Sequence, residues 1–201
     1  MEAKEWDERY RGADLVWGVG PNQFVREQCE RLPVGAAVDL ACGEGRNAIW
    51  LARLGWTVTG YDYSEAAIAR AGELTAALPA ETSGRLTWAV HDVRSLELSP
   101  DSVDLSLICY LQVTDADLDP VVLQAARALR SGGHLLIVGH DRRNLADGVG
   151  GPRDITRLHS PEHLRNTLST LPGVDVETAT TVERSTDAGV ALDTLVLARR
   201  S

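Results

Sequence analysis

Two acidic residues and two glycines, close together in the sequence, are the residues best suited to bind a ligand. Asp39 ends an apolar run, and the turn after it contains Gly43 and Gly45 before a helical pattern begins. A strand, a glycine turn and a helix N-terminus let the backbone approach a ligand closely. A second apolar run ends at Asp62, where a carboxylate can accept hydrogen bonds from a ribose. This spacing predicts a nucleoside pocket.

Further reactive side chains follow three later strand-like runs. Asp92 follows the third run, Cys109 ends the fourth, and His140 follows the fifth. The carboxyl ends of parallel strands are where ligands bind in open α/β sheets. Because an imidazole titrates near neutral pH, His140 is a candidate general base, and a loop histidine paired with Asp141 is the alternative. Cys109 is interpreted as a small buried hydrophobe rather than a nucleophile.

Strand-like and helix-like segments alternate along the chain, which favours a parallel sheet with helices on both faces. The predicted strands before the change of pattern are 36–40, 56–62, 86–90, 103–109 and 134–138. The predicted helices are 46–54, 65–78 and 117–130, after two helical pieces within 5–31. Residues 141–159 are expected to form a long irregular loop, and Ser160 to cap a helix. Two last strands, 176–183 and 191–199, have no helix between them and must pair antiparallel.

Composition excludes several classes of protein. The 201 residues are 44% apolar and carry a net charge of −9, which opposes a nucleic-acid partner. The three cysteines are scattered, so neither a disulfide framework nor a metal site is expected. No apolar run is long enough to span a bilayer, and the charged start lacks a secretory core. We therefore expect a cytoplasmic protein without a membrane partner.

Taken together, these motifs resemble the class I S-adenosylmethionine-dependent methyltransferases over nearly the whole chain. The glycine motif 39–45 resembles the first motif of that family, and Asp62 matches its ribose-binding acid. The segment 91–93 matches the adenine-binding turn, and 129–135 matches the turn into the fifth strand. The resemblance implies a Rossmann-like, doubly wound seven-stranded sheet of order 3-2-1-4-5-7-6, mostly parallel with an antiparallel C-terminal hairpin.

The resemblance also implies the cofactor and the residues that bind it. S-adenosylmethionine would be bound and S-adenosylhomocysteine released. Asp39 would orient the turn and the ammonium group of the cofactor, Asp62 would bind the ribose, and Asp92 with the Val93 amide would bind adenine. Tyr63 either stacks on adenine or is a structural tyrosine. The residues expected to bind the cofactor are Asp39, Ala41, Gly43, Gly45, Arg46, Asn47, Asp62, Tyr63, Asp92, Val93, Cys109, Tyr10 and Trp17.

The N-terminal aromatic residues resemble the leader of thiopurine methyltransferase-like and tellurite-resistance-like enzymes. In that subgroup the leader folds over the cofactor and shapes the acceptor pocket; a helix that merely packs its aromatic face is the alternative. The resemblance divides a single domain, 1–201, into a lid (1–33), a cofactor-binding core (34–140) and an acceptor region (141–201). The expected acceptor pocket contains Trp6, Tyr110, Leu111 and Arg153.

The implied reaction is in-line transfer of a methyl group to a small molecule through a sulfur, oxygen, selenium or tellurium nucleophile or a carboxylate. The protein would act as a monomer or homodimer. A non-catalytic S-adenosylmethionine-binding regulator and a protein methyltransferase remain alternatives. A nicotinamide-dependent oxidoreductase fits the glycine spacing, but the terminal hairpin and the missing hydride-transfer pair oppose it.

Overall fold

The computed structural model describes residues 3–12, 18 and 20–201, and its seven strands form one sheet of order β3-β2-β1-β4-β5-β7-β6. The strands are β1 (Ala36–Leu40), β2 (Thr57–Asp62), β3 (Leu86–Val90), β4 (Val103–Cys109), β5 (Leu129–His140), β6 (Val174–Thr186) and β7 (Gly189–Arg200). The first five strands pair in parallel, and β7 runs antiparallel to both β5 and β6. The predicted sheet order and its closing hairpin are confirmed.

Helices cover the strands of the sheet. The helices are α1 (Ala3–Arg11), α2 (Gln23–Cys29), α3 (Arg46–Arg53), α4 (Glu65–Ala76), α5 (Ala80–Ser83), α6 (Asp115–Arg127), α7 (Asn144–Asp147) and α8 (Pro161–Ser169). Helices α4 and α8 begin after the serines that the sequence predicted as caps, whereas α6 begins at Asp115 rather than at residue 117. Ser64 accepts a hydrogen bond from the Ala67 amide at the start of α4, and Ser160 does the same for His163 at α8. Such caps satisfy amides that have no partner within the helix.

Two apolar clusters hold the helices against the sheet. One cluster joins Ile108 of β4 to Leu164 of α8, and the other joins Leu107 of β4 to Leu51 of α3. Neighbouring residues of a strand point to opposite faces, so the central strands are buried on both sides. This rigid sheet fixes the positions of the loops that follow its strands.

The structure differs from the prediction at the start of β5. The helix predicted to end at Arg130 ends at Arg127, and β5 begins at Leu129 rather than at His134. Leu129 pairs with Val103 ahead of an irregularity in the ladder. Gly132, with φ of 84°, supplies the conformation that this bulge needs. The glycines therefore bend the strand instead of preceding it.

Residues 141–159 are more ordered than predicted. The segment contains α7 and a short 3₁₀ helix, Ile155–Arg157, and a bridge joins Asp141 to His159 at its two ends. The Asp141 carboxylate accepts hydrogen bonds from Thr181 of β6 and Thr194 of β7. The segment is thus attached to the terminal hairpin, whose strands extend further than predicted on both sides of a two-residue turn at 187–188.

Candidate functional site

A cavity of about 530 Å³ opens where β1, β2, β4 and β5 end. Parallel strands of a doubly wound sheet present their carboxyl ends to ligands there. The cavity is lined by most of the residues that the sequence predicted. These are Trp6, Tyr10, Ala41, Gly43, Arg46, Asn47, Asp62, Tyr63, Asp92, Val93, Cys109, Tyr110, Leu111 and His140.

Three predicted residues do not line the cavity. Asp39 is buried within β1, and Gly45 packs against the ring of Trp88. Arg153 is exposed on the 141–159 segment and does not contribute to the lining of this cavity. Trp17 lies outside the described residues.

The turn after β1 contributes Gly43 to the lining of the cavity. Ala41, Gly43 and Gly45 all adopt positive φ, at 61°, 55° and 81°. At Gly45 a Cβ would lie 2.3 Å from the Trp88 ring, so that glycine is required by packing behind the turn. The two predicted glycines therefore have different tasks, because Gly43 faces the cavity and Gly45 supports it.

Asp62 fastens this turn to the end of β2. One carboxylate oxygen accepts a hydrogen bond from the Gly43 amide at 2.8 Å, and the other accepts from the Ser64 amide at 2.9 Å. Burial raises the pKa of Asp62, and the two amides oppose that effect. Each carboxylate oxygen has a second lone pair, so the side chain can still accept a hydrogen bond from the cavity that it lines.

Asp39 is a buried carboxyl group near the cavity. Neither of its oxygens has a hydrogen-bond partner among the residues that the structure describes. Burial, together with the nearby charge of Asp62, raises the pKa of Asp39 to about 7. A buried carboxyl group without a partner is costly, and a cationic ligand would compensate it.

Another wall of the cavity is formed by the segment after β3. Asp92 accepts hydrogen bonds from the backbone amide and the guanidinium of Arg94, with Nη2 and Oδ2 2.6 Å apart. These hydrogen bonds lower the pKa of Asp92. Val93 between them is buried and lines the cavity. This turn combines a fixed carboxylate with an apolar surface.

Side chains from four strand ends meet at the other half of the cavity. Asp193 of β7 is completely buried and accepts hydrogen bonds from the Tyr110 hydroxyl and from Arg184 Nε, each at 2.6 Å. His140 Nδ1 lies 3.3 Å from Asp193 Oδ1. We call Tyr110, His140, Arg184 and Asp193 the acceptor-end cluster. Sequence reasoning did not select Arg184 or Asp193, because each looks like an ordinary polar residue of a strand.

Tyr110 has an unusual backbone as well as a buried hydroxyl. Its φ of 59° lies in the left-handed region, which costs a residue with a side chain about 1–3 kcal/mol. The amide of Tyr110 donates to the Val138 carbonyl at 2.7 Å, and its hydroxyl accepts from Asn22 Nδ2 at 3.2 Å. These contacts hold the ring at the cavity wall and link it to the segment before α2.

The thiol of Cys109 lines the same half of the cavity. Burial raises the pKa of Cys109 to about 12, which keeps the group protonated at neutral pH. Leu111 is buried, and its carbonyl lies 3.0 Å from Nε2 of the buried His159. Neither residue offers a charged group to a ligand.

Helix α1 covers the cavity from the N-terminal side. Trp6 and Tyr10 line it with rings stacked 5.7 Å apart. Asp7 accepts hydrogen bonds from the Ser64 hydroxyl and from the Ala66 amide, the latter at 3.2 Å. Because Ser64 also caps α4, Asp7 attaches α1 to the helix that follows Asp62.

Two properties of the described residues concern metal ions and membranes. No group of three or more His, Cys, Asp or Glu side chains in that part of the chain is arranged to hold a metal ion. Among the described helices, none is long and apolar enough to cross a membrane.

Comparisons with known proteins identify the domain that contains the glycine turn. Residues 37–133 match the family described as methyltransferase domain. Methyltransferase GfsG from Streptomyces halstedii is 31% identical over 175 residues, which cover 82% of this chain and 62% of GfsG. The match therefore places a methyltransferase domain at residues 37–133. The chain spans less than two thirds of the length of that relative.

Solved structures show that the fold of this methyltransferase domain extends over almost the whole chain. One solved structure concerns the conversion of a disulfide bond into a thioacetal group during echinomycin biosynthesis, and its protein is 23% identical to this chain. The two structures have a TM-score of 0.76 over 99% of this chain and 92% of the other. TehB from Haemophilus influenzae is 16% identical, with a TM-score of 0.71 over 100% of this chain and 68% of its own. At these identities the likeness concerns the fold, and the tellurite-resistance-like subgroup stays a prediction.

Several other solved structures with this fold are S-adenosylmethionine-dependent methyltransferases, one of them in complex with S-adenosylmethionine.

Proposed function

We propose that this chain transfers a methyl group from S-adenosylmethionine to a small molecule bound in the cavity. The observation that carries the proposal is the arrangement of Gly43, Asp62 and Asp39 at the end of β1 and β2. A bare backbone turn, a fixed carboxylate and a buried carboxyl without a partner would suit the polar and cationic groups of that cofactor. The matched methyltransferase family supports the same assignment.

Each residue would bind a different part of the cofactor. Asp39 would attract the ammonium group, Asp62 would accept from the ribose hydroxyls, and Asp92 with the Val93 amide would bind the adenine edge. Tyr63 lines the same end and would contact the base. This assignment uses oxygen atoms that retain accepting capacity and a backbone turn that leaves room for a ligand.

The chemistry needs alignment more than it needs a charged catalyst. When bound, S-adenosylmethionine supplies an electrophilic methyl group, and the carbon–sulfur electron pair stays on sulfur as S-adenosylhomocysteine forms. The protein must hold the nucleophile in line and exclude water, and Trp6 and Tyr10 of α1, which line the cavity, would serve the second task. Alignment of this kind contributes on the order of 7–11 kcal/mol in well-oriented reactions.

Two properties favour a small acceptor. A cavity of about 530 Å³ lies in the range typical of small-molecule sites. The net charge of −9 opposes binding to nucleic acid. Arg153 is exposed and does not line the cavity, so the proposal assigns it no contact with the acceptor.

Calorimetry and product analysis test the proposal. Purified protein is titrated with S-adenosylmethionine, and Asp62→Ala is compared with Asp154→Ala. Asp154 is a matched control because it also accepts from the amide two residues ahead but is exposed outside the cavity. We expect the first variant alone to weaken binding. Failure of the unaltered protein to bind S-adenosylmethionine would contradict the proposal.

A mass-spectrometric screen then looks for acceptors that gain one CH₂ unit. Hydroxyl, thiol, amine and carboxylate compounds are each incubated with protein and S-adenosylmethionine, beside a cofactor-free control. Methylation of any small compound supports the proposal. Tight cofactor binding without turnover of the panel would favour a binding regulator, and methylation confined to added proteins would favour a protein methyltransferase.

A further inference from the structure

The acceptor-end cluster is built around one completely buried carboxylate. Asp193 lies opposite His140 in the β5–β7 ladder, and Arg184 reaches it from β6. Tyr110 reaches the same carboxylate from the end of β4. Four strand ends therefore converge on a single anion at the wall of the cavity. A structural ion pair would need only Arg184, so the other two contacts require their own explanation.

The environment keeps Asp193 ionised. Burial opposes the charged form, but the contacts with His140, Arg184 and Tyr110 lower the pKa of Asp193 below its ordinary value. Arg184 Nε and the Tyr110 hydroxyl share Oδ2, which leaves Oδ1 for His140. An anion with one oxygen reserved for an imidazole can fix the orientation of that ring.

The imidazole of His140 presents Nδ1 to Asp193, and the residue lines the cavity. Nδ1 is buried 3.3 Å from Asp193 Oδ1, and in the described part of the chain neither atom makes another hydrogen bond. Buried donors and acceptors rarely remain unsatisfied, so these two atoms are each other's partner. The ring lines the cavity and is 11% exposed, and Gly151 packs closely on it. Nε2 is the nitrogen left for a ligand.

The other titratable groups at this end cannot accept a proton from a ligand. The Tyr110 hydroxyl already donates to Asp193, and burial raises the pKa of Tyr110. The Cys109 thiol is protonated at neutral pH because burial raises its pKa to about 12. The Arg184 guanidinium has its pKa raised by Asp193 and Tyr110 despite burial, so it stays protonated. Among these side chains, His140 is the one that can offer a nitrogen lone pair to a ligand.

We propose that Asp193 is a positioning residue that fixes His140 as the general base of this cavity. The methyl acceptor is consequently a nucleophile that still carries a proton at neutral pH, and an un-ionised hydroxyl is the first candidate. The inference rests on the proposed function and deepens it. A carboxylate acceptor is already ionised and would not need a general base. Arg184 and Tyr110 hold Asp193 rather than the acceptor.

The proton transfer balances within the cluster. As the acceptor oxygen forms its bond to the methyl carbon, His140 Nε2 takes the hydroxyl proton. The imidazolium that results lies beside the Asp193 carboxylate, which stabilises its charge, while Arg184 compensates that carboxylate in the resting state. The proton is then released to solvent, and His140 returns to the neutral form with its hydrogen on Nδ1.

Nitrogen NMR of labelled histidine tests the orientation without any acceptor or cofactor. The chain has five histidines, and loss of a signal in His140→Gln assigns the one of interest. We expect neutral His140 to carry its hydrogen on Nδ1, with a pyridine-like Nε2. The opposite tautomer in the unaltered protein would overturn the proposal, and this measurement requires no variant beyond the assignment.

The Asp193→Asn variant tests the cause of that tautomer. We expect a mixture of tautomers at His140 in this variant, whereas Asp119→Asn should leave His140 unchanged. Asp119 is a matched control because it accepts from another histidine, His163, at 2.8 Å outside the cavity. An unchanged Nδ1–H tautomer in a folded Asp193→Asn protein would overturn the role of Asp193.

Kinetics with an acceptor found in the screen completes the test. For a hydroxyl acceptor, Asp193→Asn should lower kcat by roughly 10- to 1000-fold and leave KM for S-adenosylmethionine within about twofold. Asp193→Glu should restore part of the loss. Turnover of carboxylates alone, or an unchanged kcat, would overturn the inference while leaving methyl transfer intact. Absence of cofactor binding would instead defeat the proposed function.

Discussion

The two halves of the cavity are built from different parts of the chain. The half at the ends of β1, β2 and β3 uses backbone amides and carboxylates from three short segments, 39–47, 62–64 and 91–94. The half at the ends of β4 and β5 uses side chains that only the closing hairpin brings together, with Tyr110 and Asp193 83 residues apart. The first half suits a ligand whose chemical groups do not vary. The second half could accept different ligands after the substitution of single side chains. Binding of a constant cofactor and choice of a variable acceptor can thus be separated physically.

Replacement of the base at the acceptor end should have the largest effect. We expect His140→Gln to lower kcat for a hydroxyl acceptor by roughly 10²- to 10⁴-fold, since a general base contributes that much. Calorimetry should find the affinity for S-adenosylmethionine unchanged. His163→Gln is the matched control, because His163 also faces carboxylates but lies outside the cavity. If His140→Gln lowered the affinity for S-adenosylmethionine by as large a factor as it lowers kcat, the two halves of the cavity would not act separately.

Removal of the isolated charge at the cofactor end should change stability with pH. The native pKa of Asp39 is about 7, against an ordinary value of 3.8, so the native state holds a proton that the unfolded chain has released between those values. Stability therefore falls as pH rises through this range. Asp39→Asn avoids that loss, and we expect its free energy of unfolding at pH 8 to exceed that of the unaltered protein by roughly 2–4 kcal/mol.

Urea unfolding at pH 8 and at pH 4 measures this difference. At pH 4 the two proteins should be nearly equally stable, and saturating S-adenosylmethionine should reduce the advantage of Asp39→Asn at pH 8. A variant that is less stable than the unaltered protein at pH 8 without cofactor would contradict the account of Asp39.

Loss of the acid that fastens the turn should weaken cofactor binding by a smaller amount. Asp62→Ala removes the acceptor for the Gly43 amide and for the ribose, and we expect a loss of about 1–3 kcal/mol in binding free energy. Titration calorimetry with S-adenosylhomocysteine gives the same quantity without turnover. Unchanged affinity would remove Asp62 from the cofactor site.

Release of the covering helix should have the smallest effect. Asp7→Ala removes the hydrogen bonds to Ser64 and Ala66, and we expect faster amide exchange in residues 3–12 with a loss of about 0.5–2 kcal/mol in cofactor affinity. Asp117→Ala, an acid in the first turn of α6, is the control. Unaltered exchange in α1 would mean that its aromatic contacts suffice to hold the cover.

Much of the fold could be predicted because the parallel strands are short apolar runs between turn signals. The bounds 36–40, 86–90 and 103–109 agree with β1, β3 and β4. The start of β5 was predicted incorrectly because Gly132 serves a bulge inside the strand rather than a turn before it. Glycine supplies positive φ in both settings, so the sequence alone does not distinguish them.

The roles of the site residues divide in the same way. The residues of the glycine turn, Asp62 and Asp92 are visible because motifs of a few residues carry them. Asp193 is hidden because its partners are distant in sequence and meet only through strand register. One signal was available: an acid stands in the apolar run 191–197, on a strand whose predicted neighbour is β5. An estimate of register across the hairpin would have placed it beside His140.

The terminal hairpin gives the molecule a definite order of completion during translation. The ribosome releases the segments that would hold the nucleoside well before residues 184–193 emerge. A nascent chain that has folded only through β5 would display the cofactor half together with the open edge of β5, to which β7 later adds. The final strands would then add Asp193 and Arg184 to Tyr110 and His140, so the other half of the cavity is completed last.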